Sequence, residues 1–413
     1  MQMAQLNITL NQDEILQLLG ENSNEAFKTL LQESLNSVLK AESSEQLKAT
    51  PYERSEERTD SRNGSRERTL NTRIGTILLT VPRHRNQPFK SMIFDNYSRS
   101  EAALVSTMTE MVVNGVSTRK VSKVIETLCG TSFSKSTVSE LCKDLDQEVN
   151  LFRNRPLTED YPFLYVDATY FKTRENHRTI SKALFIAMAI NHNGRHEIIG
   201  FNTYEKESQD TWFLFMQSLK NRGLKGLQLV TSDSHEGIIY GLSRVFPEVP
   251  WQRCQYHFTR NILDKTPKKY QEGLRSELQA MFNSPDLKTA IKKRDAILQD
   301  YNDVAPVAME CLDRGFNDSV TIMAIPESLR KTMRTSNHLE RLNKELKRRS
   351  NVIGVFPNET SIIRLMGAVL MELNEKYEAR VKPLFYHPVL QELKSRHDIL
   401  ARIAREQQLS LAA

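Results

Sequence analysis

The chain has 413 residues, of which 39% are hydrophobic and 26% charged. That is too long for one ordinary domain and too apolar for a chain disordered throughout, and four scattered cysteines exclude a disulfide framework. The 57 basic and 51 acidic residues leave a net charge of +6, a mild pointer to a polyanionic partner, so the distribution of charge carries more weight than its sum. The longest apolar run, Ala183–Ile190, falls far short of the roughly 20 residues of a membrane helix. Met1–Leu10 has neither the basic start nor the apolar stretch of a secretory signal. These features predict a soluble, cytoplasmic protein.

Residues 1–50 are acidic, with seven Asp or Glu against three Lys. Apolar spacing predicts helices over Asp13–Leu19 and Ala26–Leu39. Glu53–Glu67 offers almost nothing to bury, and residues 51–69 read as a flexible linker. Between Ser61 and Lys90 seven cations (Arg62, Arg66, Arg68, Arg73, Arg83, Arg85, Lys90) face one acid, Glu67. Arg73–Val81 reads as a strand followed by a basic tail. Arg83 and Arg85 there belong either to a solvated loop or to an arm that tracks phosphates.

Ser117 can cap a helix running to about Leu128, with Gly130 just past its end. Ser134 can cap a second. Two short helices joined by a tight turn predict a helix-turn-helix at about 117–146, within a DNA-binding region spanning 70–155. Lys135, Ser136 and Thr137 would lie at the leading end of its recognition helix. Many helical hairpins bind nothing, so this signal draws its weight from the residues downstream.

From Tyr161 the pattern turns to strands. Pro162–Val166, ending at Asp167, is the first; Lys182–Asn191 and Arg195–Asn202 complete a meander. A helix over Ser208–Lys220, a strand over Gly226–Thr231 ending at Asp233, a helix from His235 and a short strand at Trp251 come next. This α/β order is that of an RNase H-like core, with its first part at 160–257. Residues 258–334 read as a helical insertion, with a helix start at Ser284-Pro285. Residues 335–413 read as a final catalytic helix and C-terminal helices, with Met366, Leu370 and Leu373 on an apolar face. Trp212 and Trp251 read as core.

Asp167 and Asp233 end strands that are neighbours in such a sheet, and Glu340 lies in the first turn of a late helix. Taken singly, each acid has an ordinary use. Asp167 can close a turn, Asp233 can cap the next helix, and Glu340 can complete a capping box with Asn337. Taken together in this fold order, they form an oxygen-only ligand set suited to Mg²⁺ or Mn²⁺. Two such ions about 4 Å apart would clamp a scissile phosphate. Beyond Glu340, the cations Arg341, Lys344 and Arg348 share one helix face, either solvated or a phosphate-binding ridge.

The stretches Tyr165-Val-Asp167-Ala-Thr-Tyr170, Ser232-Asp233-Ser-His-Glu-Gly237-Ile238, Cys254-Gln-Tyr-His257 and Ser336-Asn-His-Leu-Glu340-Arg-Leu-Asn343 resemble the Mutator-type transposases of bacterial insertion sequences. Ile353–Pro357 and Gly75–Arg85 resemble that family too. The similarity spans roughly residues 10–390. It implies a DDE triad of Asp167, Asp233 and Glu340 on an RNase H-like core, metal-dependent cleavage and strand transfer, and binding to terminal inverted repeats. It also implies a homodimer or larger assembly on double-stranded DNA. Cys254 and His257 match a family mark near the active site. They are too few for a zinc site of their own, which leaves packing, hydrogen bonding or a direct DNA contact. A structure-specific nuclease on the same fold, or a transposase-derived DNA-binding regulator, are the alternatives.

Overall fold

The computed structural model describes residues 23–53, 57–72, 74–91, 102–129, 133–380 and 382–412. The expected helix at Asp13–Leu19, and the positions Arg73 and Gly130, lie outside them. The contacts divide the chain into two compact units, Met1–Lys143 and Asp144–Ala413.

In the first unit, α1 (Ser23–Leu47) packs on a hairpin of β1 (Arg62–Thr72) and β2 (Gly75–His84). Alternation along β2 sends Ile77, Leu79 and Val81 to one face, where they meet Leu70 of β1 and Leu39 of α1. The second half of the expected linker, 62–69, is therefore strand. Its polar side chains remain mostly outside the core, and its backbone is satisfied by β2 in register, Arg68 opposite Leu79. Asp60 anchors the base of the hairpin: its carboxylate accepts from the backbone N–H groups of Ser61, Asn86 and Gln87 at 2.6, 2.9 and 2.9 Å. Further along come α2 (Ala102–Val113), α3 (Thr118–Cys129) and α4 (Lys135–Leu141). Met108, Val121, Ile125, Phe133 and Val138 form their shared core. Ser134 caps α4, accepting from Thr137 N–H at 3.0 Å.

The second unit opens with α5 (Leu145–Asn154), which the sequence grouped with the preceding region. Val149 of α5 sits where a Cβ on Gly367 would be, and Arg364 forks onto Asp146 at 2.7 and 2.6 Å. Next come β3 (Phe163–Glu175), β4 (Arg178–Ile190), β5 (His196–Tyr204), α6 (Gln209–Asn221), β6 (Leu229–Ser232), α7 (Glu236–Val245) and β7 (Trp251–Arg253). The five strands form one sheet in the order β5-β4-β3-β6-β7. The first three are antiparallel, and β6 and β7 join in parallel through the crossover helices α6 and α7. Trp212 of α6 is fully buried and stacks on Phe185 at 3.9 Å, at the centre of the core between the sheet and these helices.

Helices α8 (Gln255–Asp264), α9 (Gln271–Phe282), α10 (Leu287–Tyr301) and α11 (Pro306–Ser319) share a second apolar core around Phe258, Leu278, Leu312 and Phe316. The cap of α10 is Asp286, accepting from Thr289 N–H at 2.8 Å, rather than the expected Ser284. Beyond them lie α12 (Glu327–Met333), α13 (Asn337–Ser350), α14 (Glu359–Glu378), α15 (His387–Ser395) and α16 (His397–Ala412). Gln407 of α16 bonds both N–H and C=O of Trp251, closing the exposed edge at β7. No described helix is long and apolar enough to cross a membrane.

Candidate active site

Asp167 lies inside β3 rather than at its end, because the β3–β4 hairpin pairs all the way from Phe163 to Glu175. What ends early is the parallel ladder on the other edge, where β6 pairs only with Phe163, Leu164 and Tyr165. That edge is taken up again at Lys172–Arg174 by Phe356, whose N–H donates to Lys172 and whose carbonyl accepts from Arg174, at 2.8 and 2.9 Å. Asp167 sits in the gap between these two pairings. Alternation places it on the same face as Tyr165, whose ring lies against His338 of α13.

Asp233 directly follows β6. It does not cap α7: His235 does, its Nδ1 accepting from Gly237 N–H at 3.1 Å. Asp233 Oδ1 accepts only weakly, from His235 N–H at 3.2 Å. The expected capping box around Asn337 and Glu340 is also absent. The N-cap is Ser336, whose hydroxyl leaves the helix end to donate to Cys254 Sγ at 3.2 Å. Glu340 instead faces His257, with Oε1 3.4 Å from Nε2. Asp167 feels the charges of Asp233 and His257, and His257 feels those of Glu340 and Asp167, so Glu340 is linked to the two aspartates through His257.

Burial, the nearby Asp233 carboxylate and Glu207 push Asp167 up to about 7. The Cys254 hydrogen bond, reinforced by the charges of Cys254, Glu340 and Asp167, holds His257 up at about 9 against its own burial. Burial pushes the Cys254 thiol up, but hydrogen bonds from His257 and Ser336 outweigh it and leave it lowered. In the geometry, Cys254 Sγ accepts from Ser336 and His257 Nε2 faces Glu340, so the two residues link the start of α8 to the start of α13, while His257 Nδ1 is buried without a hydrogen-bond partner.

A divalent cation suits this donor set. Three carboxylates offer only oxygen, Asp167 carries a charge that its surroundings oppose, and Glu340 Oε1 is buried without a hydrogen-bond partner. Among the described residues, no three His, Cys, Asp or Glu side chains are already grouped to hold an ion, and Glu340 is engaged by His257.

The sequence family profile described as "Transposase, Mutator family" matches residues 1–380. The chain belongs to the Mutator family of transposases. It is 41% identical over 379 residues to the transposase for insertion sequence element IS256 in transposon Tn4001 from Staphylococcus aureus, covering 91% of this chain and 97% of that one. It is 39% identical over 353 residues to the transposase for ISRM5 from Rhizobium meliloti (86% and 88% covered). With the transposase for IS1081 from Mycobacterium tuberculosis it shares 36% over 361 residues, 87% of each.

The other expected residues of this Mutator-family chain are dispersed. Arg341 and Lys344 are exposed on α13, but Arg348 is tied to Glu345 through two bonds of 2.7 Å, so it is not a free member of the ridge. In the first unit, Arg83 is exposed and lines an open groove with Arg66, Val81 and Phe89, and Arg85 is exposed nearby. Lys135 opens α4, followed by Ser136 and Thr137, whose hydroxyls bond the Ser134 cap. Two site residues escaped sequence reasoning. Glu207 precedes the cap of α6 and raises Asp167, with no pattern to mark it. Asn343 donates to Asp167 Oδ2 at 2.8 Å; its spacing of one turn from Glu340 was the available signal.

Proposed function

We propose that this protein is the transposase of an insertion sequence, with Asp167, Asp233 and Glu340 as a DDE triad on an RNase H-like core. The observations that support this most are the seat of Asp167 in the gap of the β3 edge, with the charge of Asp233 acting on it and His257 lying between it and Glu340, in a chain of this family. The strand order of three antiparallel then two parallel strands suits that core, and α8–α12 stand as the helical insertion.

The triad would hold two divalent cations, Mg²⁺ or Mn²⁺, which when bound polarise the scissile phosphate and lower the pKa of an attacking oxygen. The remaining work belongs to the chain. His257, held protonated, offsets the charge of Glu340 so that the three acids can approach one another. Arg341 and Lys344 draw the DNA backbone towards α13. Water attacks the phosphorus at the element end, the P–O3′ bond breaks and the 3′-oxygen takes a proton. That 3′-hydroxyl then attacks a second phosphodiester, exchanging one P–O bond for another with no covalent protein–DNA intermediate.

In the first unit, α3 and α4 serve as a helix-turn-helix for the terminal inverted repeats, with Lys135, Ser136 and Thr137 leading and Arg83 and Arg85 on phosphates. Two ends must be held at once, so the protein acts as a homodimer or larger assembly on DNA, in the cytoplasm.

The test uses labelled duplexes carrying the DNA ends that flank the gene, with purified protein and Mg²⁺ or Mn²⁺. Nicking at the 3′ end and joined products are expected. Nicking without joining would favour a structure-specific nuclease, and binding with no metal-dependent chemistry a DNA-binding regulator.

A further inference from the structure

We infer that Asn343 is a positioning residue for the reaction, fixing the Asp167 carboxylate in its working orientation; the inference rests on the proposed role of Asp167. Both oxygens of that carboxylate are engaged. Oδ1 accepts from Ala168 N–H at 2.8 Å and Oδ2 from Asn343 Nδ2 at 2.8 Å. A carboxylate held at both oxygens loses its freedom to rotate about the side-chain torsions. The chemical nature of the donor matters. An Arg or Lys at this place would hold Asp167 equally well but would neutralise the charge on which cation binding depends. A neutral amide orients the group and leaves its charge intact, as outer partners of metal ligands do.

The placement of Asn343 supports the same role. It stands one turn beyond Glu340, so a single helix carries both the third acid and the holder of the first. That helix is pinned before its start by Gln255 N–H to Arg334 C=O at 3.0 Å and by Ser336 to Cys254. Beyond its end, Phe356 is paired with β3. Docking α13 therefore sets Glu340 and Asp167 together. The residue is also a poor choice for stability alone, since its Oδ1 is buried without a hydrogen-bond partner, a cost that an apolar side chain would not carry.

The test compares full-length wild type with Asn343→Ala, Asn343→Asp and Asp167→Ala. It measures the Mg²⁺ concentration for half-maximal end cleavage and, independently of activity, the Mn²⁺-induced rise in unfolding midpoint. Asn343→Ala is expected to raise the half-saturating metal concentration about tenfold or more and to shrink the Mn²⁺-induced rise, with end binding unchanged. Asn343→Asp keeps an oxygen but loses the donor, and is expected to be at least as impaired. Wild-type metal dependence in either Asn343 variant would overturn the inference. Retained cleavage in Asp167→Ala would instead overturn the proposed triad, so the two failures are distinguishable.

Discussion

Arg349 ties the helix that carries Glu340 to the body of the second unit, and its removal has a calculable consequence. The residue is 3% exposed, and its guanidinium reaches Glu345 at 2.8 Å and Glu372 of α14 at 2.7 Å. Taking away one partner of a fully buried ion pair costs about 3–5 kcal/mol, because the other charge is stranded. Here Glu345 and Glu372 keep 27% and 26% of their side-chain surface, and Arg348 and Lys376 offer them second partners. Water and these cations recover part of the loss, so Arg349→Ala should cost about 2–3 kcal/mol. In a unit of this size each kcal/mol lowers the midpoint by about 2–4 °C, giving a fall of about 4–12 °C. Both tryptophans, Trp212 and Trp251, lie in this unit, so urea unfolding followed by fluorescence reports on it alone. The expected result is a lower midpoint with an unchanged slope. Arg349→Lys, which cannot fork onto two carboxylates, should fall between. A loss below about 0.5 kcal/mol for Arg349→Ala would refute the reasoning, because it would place the pair among surface contacts.

Three further outcomes concern other parts of the molecule. Backbone hydrogen bonds from Gln87 and Ser61 hold Asp60 down at about 2, so its contribution to the first unit is complete above the ordinary carboxylate range and is lost as pH falls towards 2. Protection of the Ser61, Asn86 and Gln87 amides, relative to their intrinsic exchange rates, should fall over that window in wild type and be low throughout in Asp60→Ala. Asp167, held up at about 7, must lose a proton to bind a cation, so half-saturating Mg²⁺ should fall about fivefold from pH 6 to pH 7, about tenfold in all by pH 8, and then level off. Stability without metal runs the other way: the raised Asp167 makes the fold less stable as pH rises from the unfolded value through about 7, and Mg²⁺ should stabilise more at pH 8 than at pH 6. Finally, Arg83→Ala with Arg85→Ala should weaken end binding and reduce the salt dependence by about one counterion per cation removed, measured by binding titrations at several salt concentrations.

The positions of the strands and of most helices were legible because apolar runs and alternation report burial directly, and the second unit is built from such runs. The hairpin at β1 was not. Arg66, Glu67 and Arg68 carry no apolar signal, and the strand exists because β2 supplies backbone partners and Leu70 reaches the core. The sequence singles out the three acids, but not their local settings. Asp167 lies mid-strand because one ladder stops before the other, which only pairing can reveal. Asn337 and Glu340 match a capping-box pattern, yet the N-cap is Ser336, and Cys254 and His257, distant in sequence, engage the side chains of Ser336 and Glu340. Arg348 has the right spacing for a basic ridge, and a local glutamate claims it.

The most direct test of the account compares end cleavage by wild type with Asp167→Asn, Asp233→Asn and Glu340→Gln, isosteric changes that keep shape and remove charge. All four proteins should bind end duplexes alike, through the first unit. Wild type should nick and join in Mg²⁺, while each variant should lose at least about 4 kcal/mol of transition-state stabilisation, a rate loss of about a thousandfold. Metal-dependent cleavage that survives in any one of the three would contradict the triad.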